Sequence, residues 1–462
     1  MTSSLTFRRS AMSLAVLVLT GCSFIPTHER PAAPVAAVFP GQAANAPAGA
    51  ELVSWSGFVQ DARLRELIAL SLQNNRDLRV ATLNIEQVRA QYQIRRADQL
   101  PTLNLAASGN RQPTADGGMS STYTAGLAMA SWELDFFGRV ASLKDAALAQ
   151  FLASEEARRA AQTSLVAAVV STWLSLQADE ELLSLTQSTL ATREDSLRLT
   201  KLRFDNGANS ALDLRQAESL AAAARSTLAQ QQRAKSLDLN ALTLLVGQTL
   251  PAHLLPFGPG ATTQAQLSDV PEGLPSDLLN RRADIRQAEQ ALIAANANIG
   301  AARAAFFPRI SLTASVGTVS NQLSGLFESG SWGFSLAPQA LLPIFDAGRN
   351  QANLTVAKVS RDVAVAQYEK AIQTAFREVA DALAGRATLG EQLIAQQTQA
   401  TAEAERFRLA DLRYRNGVSS YLDVLDAQRS LFATQQALAQ TKLAQQQSQV
   451  ALYKALGGGW TE

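Results

Sequence analysis

Residues 121–150 read STYTAGLAMASWELDFFGRVASLKDAALAQ, and the pattern changes midway. Through Leu134 the side chains alternate, as in a strand with two different faces. From Arg139 the pattern is helical and it does not stop: Arg139 to Asn206 holds neither Pro nor Gly over 68 residues. A continuous helix of that length measures about 100 Å at 1.5 Å per residue. That is about three times the hydrocarbon thickness of a membrane. Such helices cannot fold back into a compact globule and must run side by side as an extended bundle. Asn209–Val246, Arg349–Asn416 and Val418–Leu456 carry the same signal, interrupted only by Gly385 and Gly390. Leu182, Leu185, Leu190, Leu197 and Leu202 give the first run an apolar stripe. Abundant Ala permits close helix approach, as in coiled-coil packing without a strict heptad.

Three further stretches alternate like 121–134. In Pro101–Gln112, Leu103, Leu105 and Ala107 oppose Asn104, Ala106 and Ser108. In Pro308–Ser320, Ile310, Leu312, Ala314 and Val316 oppose Ser311, Thr313 and Ser315; Ser331–Leu342 is the fourth. Each is near the 9–11 residues a tilted strand needs to cross a bilayer. A sandwich core would alternate in the same way. Read as membrane strands, one face is apolar for lipid and the other small or polar for water. Tyr123, Trp132, Trp332 and Phe334 then suit interfacial girdles. Four strands cannot close a barrel, because open edges in lipid leave backbone groups unsatisfied. The sequence therefore predicts a shared barrel with cyclic symmetry. Two copies give eight strands and a filled interior; three give twelve and a lumen. Small inward residues (Ala106, Ser108, Gly126, Ala128, Ser311, Gly333, Ser335) favour three or more.

The chain is also an internal duplication. Asp77, Arg79, Ala81, Arg96, Ala97, Pro101, Leu105 and Ser108 recur 207 residues on, as Asp284, Arg286, Ala288, Arg303, Ala304, Pro308, Leu312 and Ser315. Leu202, Arg203, Asn206, Gly207, Ser210, Leu212, Asp213 and Ala217 recur at a spacing of 210, as Leu412, Arg413, Asn416, Gly417, Ser420, Leu422, Asp423 and Ala427. The change of spacing requires three extra residues, most cheaply in the strand hairpins. The expected division is a signal peptide over 1–21, a tether and equatorial segment over 22–60, and repeats over 61–270 and 271–456. A tail at 457–462 follows. Each repeat contains a strand hairpin, at about 101–134 and 308–342.

Charged residues are 18% and the net charge is +1, which gives no nucleic-acid surface. Cys22 is the single cysteine, so no intrachain disulfide can form. Arg8 and Arg9 precede an apolar run, Ala11–Leu19, too short to span a bilayer. Leu19-Thr20-Gly21-Cys22 resembles the lipobox of bacterial lipoproteins, in which the cysteine carries lipid. Ser23 rather than Asp follows, which favours the outer membrane. Pro31–Ala50 is rich in Pro and Ala and reads as an extended tether.

Several motifs together resemble the TolC-like outer membrane efflux proteins, in their OprM- and NodT-type lipoprotein branch. They are Trp55-Ser-Gly-Phe58, Asn75-Arg-Asp-Leu78, Leu274-Pro-Ser-Asp-Leu-Leu-Asn-Arg-Arg-Ala-Asp-Ile285 and Phe307-Pro-Arg-Ile-Ser-Leu312. Phe345-Asp-Ala-Gly-Arg349, Tyr421-Leu-Asp-Val-Leu-Asp-Ala-Gln-Arg429 and Leu452-Tyr-Lys-Ala-Leu-Gly-Gly-Gly-Trp460 complete the set. Ala283 departs from the family's usual Pro. The resemblance implies a mainly α homotrimer sharing a twelve-stranded β-barrel, continued by a helical periplasmic tunnel. It implies a non-enzymatic exit duct in the outer membrane for small molecules. A periplasmic adaptor and an inner-membrane resistance-nodulation-division pump would be its partners. The alternatives are the duct of a type I protein secretion system and a coiled-coil lipoprotein without a pore.

Asn206-Gly207 and Asn416-Gly417 suit helix stops, with Ser210 or Asn209 and Ser420 or Ser419 as the next N-caps. The resemblance makes Arg203, Asn206, Gly207, Ser210, Arg413, Asn416, Gly417 and Ser420 adaptor-contacting tips. Asp213 and Asp423 suit a first helical turn. Asp426 has no counterpart in the first copy, and it shares a helix face with Asp423. The resemblance makes Asp423, Asp426, Tyr414 and Leu422 a periplasmic constriction. Ser419 stands where an Arg is often found, which removes one closing salt bridge. His28 and His253 are far apart in sequence, and neither a metal-ligand cluster nor a cofactor motif is present beyond the lipid on Cys22.

Overall fold

The computed structural model describes residues 23–40, 54–257, 267–270 and 275–458. Cys22, the leader and the end of the tail lie outside these. The elements are α1 (Trp55–Phe58), α2 (Ala62–Asn74), α3 (Arg76–Ala97), β1 (Leu103–Pro113), β2 (Met119–Leu134), α4 (Arg139–Asp205) and α5 (Ala211–Val246). After a short 3-10 turn (Ala252–Leu254) follow α6 (Pro275–Arg281), α7 (Ala283–Ala304), β3 (Arg309–Ser320), β4 (Trp332–Leu341), α8 (Arg349–Arg415) and α9 (Tyr421–Ala455). Both α4 and α8 run 67 residues without a break. The chain divides into two compact units, one of 1–33, 83–156 and 286–371, the other of 34–82, 157–285 and 372–462. Each unit draws on both repeats, so the duplication is a symmetry within units rather than a split into two domains.

The first unit holds one antiparallel sheet in the order β1-β2-β3-β4. Its register places Leu105 opposite Leu127, Leu127 opposite Val316, and Val316 opposite Phe334. Ala106, Gly126, Gly317 and Gly333 form the matching row on the other face. Simple alternation puts Ala128 and Trp132 on one face. The structure breaks that alternation: Ser131 takes a positive φ of 47°, and the register shifts between Met129 and Trp132. The bulge turns Trp132 and Leu134 onto the apolar face with Leu127 and Met129, as a bulge's extra residue does. Hard contact fixes Gly126 and Gly317, since a Cβ on either would meet the other strand's backbone at 2.2–2.5 Å. The β1–β2 turn is tight, with Thr114 N–H bonded to Gly118 O at 2.9 Å. The β3–β4 connection is longer and is tied by Ser331 Oγ donating to Leu326 O at 3.0 Å. The extra residues of the second repeat lie in that loop.

The second unit has its core where α4 is buried on nearly all sides, from Leu165 to Leu183. Trp173 is fully buried and its indole N–H donates to Leu254 O at 3.2 Å. Truncating such a side chain to Ala costs roughly 3–5 kcal/mol. Ser71 and Asn75 both donate to Leu245 O, at 2.8 and 2.9 Å, which ties α2 to the end of α5. The Arg-Arg-Ala-Asp motif proves structural. Arg282 holds Asp284 through two bonds (2.9 and 2.6 Å), Glu378 at 2.7 Å and Ala455 O at 3.0 Å. Ala283 simply opens α7. The tether expected at 31–50 is not free where it is described. Phe39 is 1% exposed and its ring lies 5.0 Å from that of Phe376. Burial of an aromatic ring outweighs the extended bias of the Pro- and Ala-rich sequence.

Candidate functional site

Two places combine chemistry with exposure: the polar face of the sheet and the turns that join the long helices. On the sheet the polar face is lined by Asn104, Ser108, Thr124, Ser311, Ser315, Ser335 and Gln339, with small residues between them. Ser108 and Thr124 hydroxyls meet at 2.7 Å. At the foot, Glu133 takes two bonds from Arg139 (2.8 and 2.6 Å) and a third contact from Arg309 at 2.7 Å. The outer edges, β1 and β4, are exposed at nearly every position.

The two helix turns are built alike. Asn206 Nδ2 donates to Leu202 O at 2.7 Å, Gly207 takes φ 72°, and Ala208 N–H reaches Arg203 O at 2.8 Å. Asn416, Gly417 (φ 70°) and Val418 repeat this against Leu412 O and Arg413 O, at 2.7 and 2.9 Å. Only glycine accepts such φ values without penalty. Ser210 and Ser420, rather than Asn209 or Ser419, are the N-caps, and each belongs to a full capping box. Asp213 and Asp423 are the acids of those boxes, with Ser210 N–H and Ser420 N–H donating to them at 3.2 Å. Their first duty is thus a directed hydrogen bond, a closer tie than the helix dipole alone. Arg203, Arg413, Leu422 and the turn residues are exposed, except Asn209 and Ser419, which are half-buried.

The structure brings Tyr414 and Arg203 together: the guanidinium donates to the tyrosine hydroxyl and lies 5.3 Å over its ring. Tyr414 packs against Tyr421 at 5.2 Å, and Tyr421 OH bonds Ser196 Oγ. These contacts tie α4 to α8 and α9 beside an open cleft of about 620 Å³. Leu422, Asp423 and Asp426 share the exposed side of α9. Asp426 is not left to repel Asp423. It is paired with Arg406 of α8 at 2.5 Å, and Arg406 also meets Glu403 at 3.1 Å. The bonds to Asp426 and Glu403 raise the Arg406 pKa further.

Sequence reasoning missed Arg406, because its partner lies 20 residues away across a turn. It also missed two charges in the first hairpin. Arg193 is 4% exposed and makes one bond, Nη1 to Leu220 O at 3.1 Å, with its Nε unpaired and Phe432 5.0 Å below. Burial, then Arg429, lowers its pKa. Asp179 has a shielded, unpaired Oδ2, and burial followed by Asp238 raises it to about 6. No sequence signal marks either as buried.

The model of the family described as outer membrane efflux protein matches residues 67–248 and 274–458. The chain belongs to this family. Outer membrane protein OprJ of Pseudomonas aeruginosa is 49% identical over 464 residues, covering 99% of this chain and 96% of that one. The toluene efflux pump outer membrane protein TtgC of Pseudomonas putida is 48% identical over 468 residues, covering 98% and 96%. Among solved structures, the open state of the Neisseria gonorrhoeae MtrE outer membrane channel is similar at TM-score 0.86 and 42% identity. That likeness covers 95% of this chain and 99% of MtrE.

Proposed function

We propose that three copies of this chain form the outer membrane exit duct of a tripartite efflux system for small molecules. The observation that carries this is the sheet: one apolar face, one small and polar face, and two unpaired edges in β1 and β4. Edges in lipid must pair, so β4 of one copy meets β1 of the next. Three copies give twelve strands with the polar faces around a lumen. Names of relatives such as the toluene and solvent efflux proteins support small molecules as cargo. On this reading the helix turns meet a periplasmic adaptor, and an inner-membrane resistance-nodulation-division pump supplies the cargo. Leu422, Asp423, Asp426 and Tyr414 narrow the entrance, with the Arg406–Asp426 pair holding it. Cys22 carries the lipid that adds outer membrane affinity.

Purified protein in planar bilayers tests the duct. Ion conductance should appear, and cysteines scanned along β1 and β4 should give disulfide-linked species ending at trimer. Absence of any channel, including with Asp423→Ala and Asp426→Ala together, sinks the reading. Labelled palmitate should be incorporated into the parent and lost in Cys22→Ser; label retained in that variant refutes the anchor.

A further inference from the structure

Residues 23–30 lie along α7 in reverse order, and Phe24, Ile25, His28 and Arg30 each meet a specific partner. Phe24 stacks on Phe307 (4.7 Å, 14°), which stacks in turn on Phe137 (5.0 Å, 20°). Arg303 Nη1 donates to Phe24 O at 3.1 Å. Ile25 crosses Gly300 so closely that a Cβ there would sit 2.6 Å from Ile25 Cγ1 and 2.7 Å from Ser142 Oγ. His28 Nδ1 lies 3.5 Å from Asn296 Nδ2, and Arg30 grips Glu289 with two bonds of 2.7 Å. Residues 289, 296, 300 and 303 step by seven, four and three, which is one face of a helix.

The duplication supplies a control. Helix α3 is the counterpart of α7 at a spacing of 207, and it carries Thr82, Arg89 and Gln93 where α7 has Glu289, Asn296 and Gly300. Glycine inside a helix costs about 1 kcal/mol against Ala. α7 bears that cost at the one point where the N-terminal segment and Ser142 of α4 both press on it, which suits the helix to hold the segment.

We propose that residues 23–30 are a clasp fixing where the N-terminus leaves the protein, and that it holds without the lipid. The consequence for anchoring rests on the lipid reading of Cys22. Two Cα steps of 3.8 Å keep the point at which a lipid on Cys22 joins the backbone within about 8 Å of the Phe24 Cα. Phe24 sits on Phe307, directly before Pro308 and β3. Acyl chains on Cys22 then enter lipid at the foot of the sheet, beside the exposed rings of Phe136, Phe306 and Phe307. The surface that meets the periplasmic leaflet is therefore set by protein contacts, not by a loose tether.

The test uses full-length Cys22→Ser protein, which has no other cysteine, reconstituted in vesicles. A nitroxide on Thr27→Cys should be immobilised, and one on Ser23→Cys should report the headgroup region. Arg30→Glu should free the Thr27 label, and Arg30→Glu with Glu289→Arg should immobilise it again. Gly300→Val should free it even though Arg30 and Glu289 remain. A mobile label in the Cys22→Ser parent, or no response to Arg30→Glu, overturns the clasp. An aqueous Ser23 label overturns the membrane position. An immobile Thr27 label, together with no palmitate uptake by the chain that keeps Cys22, removes the lipid reading and leaves the clasp standing.

Discussion

The hairpins α4–α5 and α8–α9 share a turn and differ in the charge they hide and in the one acid, Asp426, that only the second carries. Both stop with Asn-Gly, both restart on a Ser capping box, and the left-handed glycines differ by 2° in φ (72° and 70°). The first hairpin hides charge that has no ion partner: Arg193 over the Phe432 ring, and half-buried Asp179 beside Asp238. Both hairpins also display exposed ion pairs, such as Arg198 with Asp195 at 3.2 Å in the first and Arg408 with Glu405 at 2.7 Å in the second; what the second adds is Asp426, paired with Arg406 at 2.5 Å. At the 210 spacing Arg193 corresponds to Glu403, and Asp179 and Asp238 correspond to Leu389 and Ser448. Features that the backbone dictates have survived duplication. Features set between helices have diverged, and that is where a difference in duty between the two hairpins resides.

The largest expected effect comes from breaking the displayed charge. An exposed ion pair contributes about 0.2–1 kcal/mol. A trimer carries three Arg406–Asp426 pairs, and losing all three together shifts the open-to-closed balance toward open. Asp426→Ala should raise resting conductance in planar bilayers, and Arg406→Ala should do the same. The swap Arg406→Asp with Asp426→Arg should return it toward the parent. Conductance that ignores all three leaves the pair with no part in gating.

The next effect tests what the hairpins share. A Cβ at Gly207 or Gly417 meets nothing within 4 Å, so the cost of Ala is conformational alone. A left-handed non-glycine residue costs about 1–2 kcal/mol. Gly207→Ala and Gly417→Ala should lower the melting temperature equally. Only Gly417→Ala should also change conductance, because its turn leads directly into Asp423 and Asp426. Equal conductance changes would erase the functional distinction between the hairpins.

Much of this was legible in the sequence, for a physical reason in each case. The run from Arg139 shows because Pro and Gly are absent. The strand faces show because their period is two, and Gly207 and Gly417 show because few residues tolerate their backbone. The rest depended on the third dimension. The bulge at Ser131 changes which face Trp132 occupies, yet adds no residue type that announces it. The capping boxes were half visible: Ser210 and Asp213 were both identified, but not their mutual bond. Arg406 and Asp426 belong to different helices, and no periodicity links them. Phe39 lies in a Pro- and Ala-rich segment whose composition argues against the packing it makes.

The smallest effect concerns the hidden charge, and here pH separates the hairpins. Asp179 is held at about 6, raised first by burial and then by Asp238. Its ordinary unfolded value is about 3.9. Between those two values the folded chain holds a proton that the unfolded chain has released, so folding gains stability as pH falls from 6 toward 4. Above pH 6 the folded state carries the full penalty of a poorly solvated carboxylate. Two units correspond to about 3 kcal/mol, and partial exposure screens this to about 1 kcal/mol. Asp179→Asn should therefore raise the melting temperature at pH 7.5 and lose that advantage by about pH 4. Asp179→Leu, which copies Leu389 of the second hairpin, should do likewise. A pH-independent gain in both would mean that packing, not charge, separates the two hairpins at this position.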